Sequence, residues 1–241
     1  MSAVGALVLL GALTGGQAPE PALWIHPDGR ITIAGKDVKP SFSPDTKKVP
    51  VLQGWGVDFG GPRSGILLGD PVQLQFTDSF TVSTWIRARS YVNQGPGAQI
   101  LFRGDDRSGH DPFTLVIHGD STINFSVQND DDRGIHVTGE LPLRQWVHVV
   151  GSYEAESGQL RLWLNGKLIA FTTTSIRPFA RLDPSQTPGV GIGNVQNNHG
   201  PHNQPFNGTL YDLRVYQGAW TPESTGFEPT LGAPPPLQRG E

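Results

Sequence analysis

The sequence predicts an all-β protein in which two antiparallel sheets pack face to face as a β-sandwich. Glycine and proline are frequent, with 31 and 21 residues in a chain of 241, so turns interrupt the chain often. No long stretch shows helical periodicity, whereas many short segments alternate apolar and polar residues. These observations together favour many short strands over helices.

The charge and the lack of cysteine exclude several functional classes. The formal net charge is -4 and the isoelectric point is near 5.9. There is also no basic stripe in the sequence, so we expect no nucleic-acid partner. Because the chain contains no cysteine, disulfides, thiolate catalysis and Cys-ligated zinc are excluded.

Residues 1–18 predict a secretory signal peptide. An apolar run from Ala3 to Leu13 precedes the small residues Gly16 and Ala18, and it is too short to span a bilayer. No Lys or Arg precedes the run, which leaves a buried or wrongly assigned N-terminus as the alternative. We expect a secreted, periplasmic or cell-surface protein with no membrane span in the mature chain.

Residues 19–54 are expected to form an N-terminal hairpin and a connection. In Trp24–Ile33 a Pro-Asp-Gly turn separates two apolar runs, which is typical of a small hairpin. Lys36–Pro50 is charged and contains three prolines, so we interpret it as a surface connection.

From Trp55 onward the chain alternates strands and turns. In Phe80–Ala88 every second residue, beginning with Phe80, belongs to one face. Asn165-Gly166 is the preferred pair for a type I′ turn, between a leucine-rich strand and its return. Further strands are predicted at Gln99–Arg103, Phe113–His118, Ile123–Gln128, Trp146–Tyr153 and Thr209–Tyr216. We expect one domain over residues 55–227, followed by a Pro-rich tail over residues 228–241.

Five phrases, in this order, resemble a laminin-G-like domain of the concanavalin A-like jelly-roll superfamily. They are WGVDFGG, SFTVSTWIRA, QWVHVVGSY, GQLRLWLNGKLIA, and GVGIGN followed by PFNGTLYDLRVYQGAWTPE. Asp212 falls on a glutamate of the family phrase and Tyr211 replaces its aspartate. The resemblance runs from Trp55 to Glu223 and implies a concanavalin A-like jelly roll, a fold that hosts many activities.

The sequence lacks the catalytic motifs of the enzymes that this fold supports. Laminarinase-like members carry E-x-D-x-x-E on one strand, and the nearest match, Glu154–Gln159, ends in Gln beside a turn. The strand phrases of the related alginate lyases are also missing. We therefore predict no catalytic residues and a module that binds rather than catalyses, with a glycan-active hydrolase or lyase as the lesser alternative.

The polar loop NVQNNHGPHNQP is the predicted contact site for a carbohydrate or glycoconjugate. Amide and imidazole groups match the hydroxyl donors and acceptors of a sugar. Two histidines at this spacing also fit part of a transition-metal site, and the composition equally fits an irregular rim loop. The predicted ligand-binding residues are Asn197, Asn198, His199, His202 and Asn203.

Two acidic loops predict a calcium site if they meet in space, because calcium prefers carboxylate and carbonyl oxygens. The second loop, QNDDDRGIHVTGE, nearly fits the EF-hand pattern. However, Arg133 stands where the fifth-position ligand belongs, and the flanks read as strands. The alternative is a pair of solvated hairpin tips. The predicted metal ligands are Asp105, Asp106, Asp111, Asn129, Asp130 and Asp131, with Asp132 beside them.

A second functional class also fits the sequence, namely a structural or adhesion module that binds protein at the cell surface. An open groove lined with aromatics would favour sugar binding, and a flat apolar patch would favour a protein partner. Trp85 and Trp163 lie opposite the apolar rows of their strands, where they either stack on a sugar or pack beneath a loop.

Overall fold

A computed structural model of the protein describes residues 19–51, 53–91, 97–186, 189–196 and 200–225. The predicted signal peptide and the predicted Pro-rich tail lie outside these ranges. The regular secondary structure of the described residues is strand, apart from one 3₁₀-helix over Val72–Leu74. No helix among them is long and apolar enough to cross a membrane.

The strands form two antiparallel sheets, which confirms the predicted sandwich. In chain order the strands are β1 (Leu23–Ile25), β2 (Ile31–Ile33), β3 (Lys36–Asp37), β4 (Ser41–Phe42), β5 (Thr46–Val51), β6 (Gly54–Phe59), β7 (Ile66–Gly69), β8 (Phe80–Ala88), β9 (Ala98–Gly104), β10 (Phe113–Ile117), β11 (Thr122–Gln128), β12 (Gly134–Glu140), β13 (Val147–Glu154), β14 (Gln159–Leu164), β15 (Lys167–Thr173), β16 (Gly189–Ile192) and β17 (Gly208–Gln217). The larger sheet has the order β15-β14-β13-β8-β17-β1-β2-β3, with β6 also paired to β17 and β5 paired to β6. The smaller sheet has the order β12-β11-β10-β9-β16-β7-β4.

The core lies between the two sheets and is centred on aromatic side chains. Phe80 of the larger sheet packs on Phe113 and Phe125 of the smaller sheet, with ring centroids 4.9 and 5.7 Å apart. Tyr153 joins this cluster at 5.9 Å from Phe80. All four side chains are almost fully buried. Their burial fixes the inward face of each strand, and therefore also its outward face.

The predicted hairpins form with the expected turn chemistry. Asn165 and Gly166 both have positive φ angles, of 50° and 77°, as a type I′ turn requires. β1 pairs with β2 as predicted, and β1 also pairs with β17. The N-terminal hairpin therefore extends the larger sheet.

The segment Lys36–Pro50 is mostly exposed, as expected of a surface connection, but it is not irregular throughout. It contains β3, β4 and most of β5. β5 pairs with β6 along its length, with Thr46 opposite Phe59 at one end and Val51 opposite Gly54 at the other. The prolines did not prevent strands here because the segment lies at the sheet margins, where a missing backbone donor is tolerated.

Candidate functional site

A cavity of about 190 Å³ lies on the outward face of the smaller sheet. In β11 the alternation buries Ile123, Phe125 and Val127 and turns Asn124 and Ser126 outward. β10 turns Thr114 outward opposite Ser126, and their hydroxyls are 2.6 Å apart. The cavity is lined by Gln99, Phe102, Asp111, Thr114, Val116, His118, Asn124, Ser126, Gln128, His136 and Gln204.

A register shift in β9 brings Gln99 to this face. Phe102 pairs with outward Thr114, and Leu101 pairs with inward Leu115. The ladder then shifts, so that Gln99 is the partner of Val116 and Ile100 has no partner there. Such an extra residue reverses the facing of the residues beyond it. Gln99 consequently points outward instead of into the core.

Gln99 in turn anchors the loop that forms one wall of the cavity. Its side chain donates to the His202 carbonyl at 3.1 Å and accepts from the Val195 N–H at 2.9 Å. Its backbone N–H donates to the Gln204 carbonyl at 3.0 Å. The Gln204 N–H donates to Asn194 Oδ1 at 3.0 Å. These bonds hold Gln204 against the sheet.

Three buried oxygens of this lining have no hydrogen-bond partner within the described part of the chain. They are Asp111 Oδ1, Asn124 Oδ1 and Gln204 Oε1. The orientation of the Gln204 amide is set by its Nε2, which donates to the Pro201 carbonyl at 3.3 Å. A buried acceptor without a partner costs about 1–3 kcal/mol. Three acceptors that line one cavity therefore suit a ligand that supplies hydrogen-bond donors.

The electrostatics of the cavity are set by one carboxylate. Burial raises the pKa of Asp111 to about 7, and the charges of Asp105 and Asp132 add to the rise. Burial lowers the pKa of His118, which therefore stays neutral near pH 7. No Lys or Arg is among the described residues that line the cavity. Glycoside hydrolysis needs two carboxylates. Among the described residues of the lining, only Asp111 carries one.

The loop that we predicted to contact a sugar lies beside this cavity. The His202 ring lies 4.9 Å from the Phe102 ring, and the His202 N–H donates to Gln196 at 3.0 Å. The Asn203 side chain accepts from Asn194 at 2.8 Å. Both residues thus support the wall without lining the cavity, and their direct contact with a ligand stays a prediction. Asn197, Asn198 and His199 lie outside the described residues.

The two acidic loops meet, as the calcium prediction required, but an arginine lies between them. The Arg107 guanidinium lies 2.6 Å from Asp105 and 3.8 Å from Asp130. Burial favours protonation of Asp105. Hydrogen bonds from Arg107 and Asp183 outweigh that effect and hold its pKa below the usual range. Asp106 accepts from Gln196 at 2.8 Å, which ties this loop to the wall of the cavity.

The remaining predicted metal ligands lie at a hairpin tip. Asn129 Oδ1 accepts the N–H groups of Asp131 and Arg133 at 3.1 and 3.0 Å. The exposed side chains of Arg133 and Asp131 pair at 3.3 Å. Within the described ranges, no group of three or more His, Asp or Glu side chains is arranged to hold a metal ion. Calcium binding stays a prediction from the sequence.

The two tryptophans considered as stacking platforms are packed instead. Trp163 is buried. Trp85 packs against a small cluster of Val51, Trp146 and Tyr211 on the outer side of the larger sheet.

The turn after Glu154 is a connection between β13 and β14 as predicted, and Glu154 pairs with Arg161 at 3.2 Å.

Residues 59–224 match the sequence model of a laminin-G-type family of the concanavalin A-like lectin/glucanases superfamily. The chain belongs to this superfamily. The family that the strand phrases resembled is thereby confirmed. The superfamily domain covers the smaller sheet from β7 onward and hence all the residues that line the cavity.

Curated relatives that the chain resembles include jeltraxin and a pentraxin-related protein. Jeltraxin of Lepidobatrachus laevis is 28% identical over 159 residues, which cover 64% of this chain and 68% of jeltraxin. Pentraxin-related protein PTX3 of Mus musculus is 26% identical over 102 residues, which are 42% of this chain. The matched region spans only 25% of that PTX3 chain.

Solved structures of the same fold include toxin binding domains. The receptor-binding domain of botulinum neurotoxin type G has a TM-score of 0.61 at 12% identity, over 86% of this chain and 50% of that one. The binding domain of paraclostridial mosquitocidal protein 1 has a TM-score of 0.61 at 15% identity, over 83% of this chain and 49% of that one. A third structure is of botulinum neurotoxin type C, whose cell entry is described as dependent upon interaction with two ganglioside molecules. Its TM-score is 0.62 at 14% identity, over 85% of this chain and 50% of that one.

Of the described residues that line the cavity, only Asp111 was among the predicted site residues, as a metal ligand; Gln99, Asn124 and Gln204 were not. The alternation in Ile123–Gln128 carried a usable signal, because it places Asn124 on the outward face of a superfamily strand. Gln99 had no such signal, since only the register shift turns it outward.

Proposed function

We propose that this protein is a binding module that takes a carbohydrate or glycoconjugate in the cavity on the outward face of the smaller sheet. The observation that carries the proposal is the set of three buried, unpartnered acceptors of Asp111, Asn124 and Gln204. Sugar hydroxyls are abundant donors and would satisfy them. Phe102 supplies an apolar wall beside these polar groups, a combination that is typical of small-molecule sites.

The free protein bears an energetic cost for this arrangement. A strand with an apolar residue at position 124 would avoid a buried oxygen without a partner. Buried polar groups without a protein partner call for an explanation, such as a functional role or a bound water or ion. A ligand that donates to these oxygens recovers that cost on binding.

The superfamily and one protein of similar fold support the same proposal. The superfamily includes lectins by its description, and a fold relative is described as interacting with gangliosides. We propose that the chain acts outside the cell, or in the periplasm, after removal of residues 1–18. The apolar N-terminal run supports this localisation.

A glycan array, run with calcium and again with chelator, tests the function. We expect neutral glycans to bind, and the Asn124→Val variant to lose about tenfold or more in affinity, the equivalent of about 1.4 kcal/mol. Because Asn124→Val removes an unsatisfied acceptor, the variant should be at least as stable as the native protein.

The matched control is Thr138→Val. Thr138 is the cross-strand partner of Asn124 on β12, but it is exposed and is not among the residues that line the cavity. Its substitution should leave glycan affinity within about twofold. Equal losses in both variants, or no glycan binding in either condition, would contradict the proposal.

One observation favours the second candidate, a protein-binding module. Leu168, Ile169 and Phe171 of the edge strand β15 are exposed by 44%, 41% and 68%, and exposed apolar edges are surfaces for pairing with other chains. Binding to cells before and after enzymatic removal of glycans separates the candidates. If the protein binds sugar, we expect cell binding to be lost once the glycans are removed. If it binds protein, we expect cell binding to survive glycan removal and to be lost in the Phe171→Asp variant.

A further inference from the structure

The cavity combines a buried carboxylate with further acceptors, and no Lys or Arg is among the described residues that line it. The Asp111 carboxylate makes no hydrogen bond or ion pair within the described residues, although its backbone N–H donates to Gln128 Oε1 at 3.2 Å. Asn124 Oδ1 and Gln204 Oε1 add two neutral acceptors to the lining. A ligand in this cavity therefore meets unpaired acceptors on several sides.

The surroundings of Asp111 add negative potential. Asp105 and Asp132 both act on Asp111 as neighbouring charges. The nearby cation, Arg107, is engaged with Asp105 at 2.6 Å and is not among the cavity-lining residues. Burial strengthens charge interactions because the local dielectric is low. Cationic ligands are thus favoured here, and anionic ones are repelled.

We propose that the cavity prefers sugars with a primary amine, and that the ammonium group binds against the Asp111 carboxylate. This inference rests on the function proposed above and narrows its ligand class. An ammonium group has three donors and no acceptor, so it matches a lining in which the unpartnered atoms are acceptors. An N-acetylated sugar offers one amide donor without the charge, and a sialylated or sulfated sugar brings a negative charge.

The physical basis of the preference is a charge-assisted hydrogen bond, which is about twice as strong as a neutral one. Asp111 precedes β10 and lies beside Gln128, whereas Asn124 lies four residues away along β11, at the end of the cavity where Gln204 docks. Four residues of strand span about 13 Å, so the ammonium group meets the Asp111 carboxylate while hydroxyls of the same ligand meet Asn124 and Gln204. Because β10, β11 and the loop at Gln204 are held by backbone pairing, these partners are already in place before the ligand arrives.

The test is isothermal titration of the full protein in chelator with three probes: a glucosamine tetrasaccharide, its fully N-acetylated counterpart and sialyllactose. Chelator keeps a divalent ion from neutralising Asp111. We expect the amine probe to bind at least tenfold tighter than the N-acetylated one, and sialyllactose to bind more weakly than either.

Asp111→Asn is the informative variant. It should reduce binding of the amine probe about tenfold, to the level of the N-acetylated probe, while N-acetylated binding changes by less than about threefold. Asp130→Asn is the charge-matched control, because Asp130 is 63% exposed in the neighbouring loop and outside the cavity lining. This control should keep the amine preference.

The outcomes separate this inference from the proposed function. Equal affinity of the native protein for both glucosamine probes, or an amine preference that persists in Asp111→Asn, would overturn the inference. The proposed function would still stand if N-acetylated probes bind and Asn124→Val abolishes that binding. An absence of binding by all three probes, together with a negative glycan array, would overturn both.

Discussion

The guanidinium of Arg107 holds the buried carboxylate of Asp105 at both oxygens, with Nη2 2.6 Å from Oδ2 and Nε 2.9 Å from Oδ1. Asp105 is fully buried, and it also accepts the N–H of Asp183 at 2.9 Å. The bond from Asp183 joins the loop after β9 to the segment before β16. The ion pair with Arg107 engages a residue that the sequence predicted as a calcium ligand.

Arg107→Ala should destabilise the protein by about 3 kcal/mol, since removing one partner leaves a buried charge uncompensated. Urea unfolding measures this change. Arg133→Ala is the matched control, because the side chains of Arg133 and its partner Asp131 are 70% and 74% exposed. That pair should contribute less than about 1 kcal/mol. Similar losses in the two variants would contradict the structural role of Arg107.

The same variant tests the predicted calcium site. Arg107→Ala removes the guanidinium from both oxygens of Asp105, which leaves their remaining lone pairs available to a cation. We expect calcium to raise the melting temperature of Arg107→Ala more than that of the native protein, through preferential binding to the folded state. Chelator should reverse the difference. Equal responses of the two proteins would contradict a calcium site that uses Asp105.

Asp111 should make stability fall as the pH rises. Its pKa is about 7 in the folded protein and near 3.8 in an unfolded chain, so the folded state binds more protons between these values. Stability from this group is therefore full below about pH 4 and is lost as the pH rises towards 7. Asp111→Asn should remove this loss, on the order of 4 kcal/mol. Urea unfolding across this range measures it.

Asp120→Asn is the control for the sign of this effect. Hydrogen bonds from the Thr122 hydroxyl and N–H lower the pKa of Asp120. Its contribution is therefore present at neutral pH and is lost as the pH falls through the lowered pKa. The two variants should change the pH profile in opposite directions. A shared direction would contradict the assigned environment of Asp111.

His148 should destabilise the fold in acid. Burial, followed by the charge of Arg214, lowers its pKa to about 3, and its Nε2 lies 3.0 Å from Ser83 Oγ. The unfolded state then binds the additional proton below about pH 6.5. Stability is lost as the pH falls from there towards 3. In His148→Gln the free energy of unfolding, measured by urea, should fall less between about pH 6.5 and 3 than in the native protein. An equal fall in both proteins would contradict the prediction.

Gly151 is required for the close approach of the two sheets. A Cβ at this position would lie 2.5 Å from Cγ of Phe125, whereas at Gly139 it would meet the flexible Ile169 side chain at 3.1 Å. Gly151→Ala should therefore cost about 1–3 kcal/mol through overpacking. It should also weaken glycan binding, because Phe125 lies between the cavity residues Asn124 and Ser126.

Gly139→Ala serves as the control for that substitution. Ile169 is 41% exposed and can move, so this variant should cost less than about 1 kcal/mol. Thermal unfolding compares the two variants. Equal stability of both would contradict a tight contact between Gly151 and Phe125.

The sequence by itself determined the features that depend on neighbouring residues. Alternation in Phe80–Ala88 and Ile123–Gln128 assigned their faces, because side chains point to opposite sides of a strand at every step. Asn165-Gly166 specified its turn, because few other pairs tolerate two positive φ angles. The superfamily, in contrast, was predicted from the resemblance of five phrases in order.

Only the tertiary structure decided which residues form the site. Gln99 faces the cavity because of a register shift, and Gln204 reaches it because residues 200–205 dock on β9. The predicted calcium loops do meet, yet Arg107 takes the carboxylate of Asp105. Each of these outcomes depends on contacts between residues distant in sequence or on a one-residue change in pairing. Alternation and composition carry no information about either, and so the sandwich could be predicted while its cavity could not.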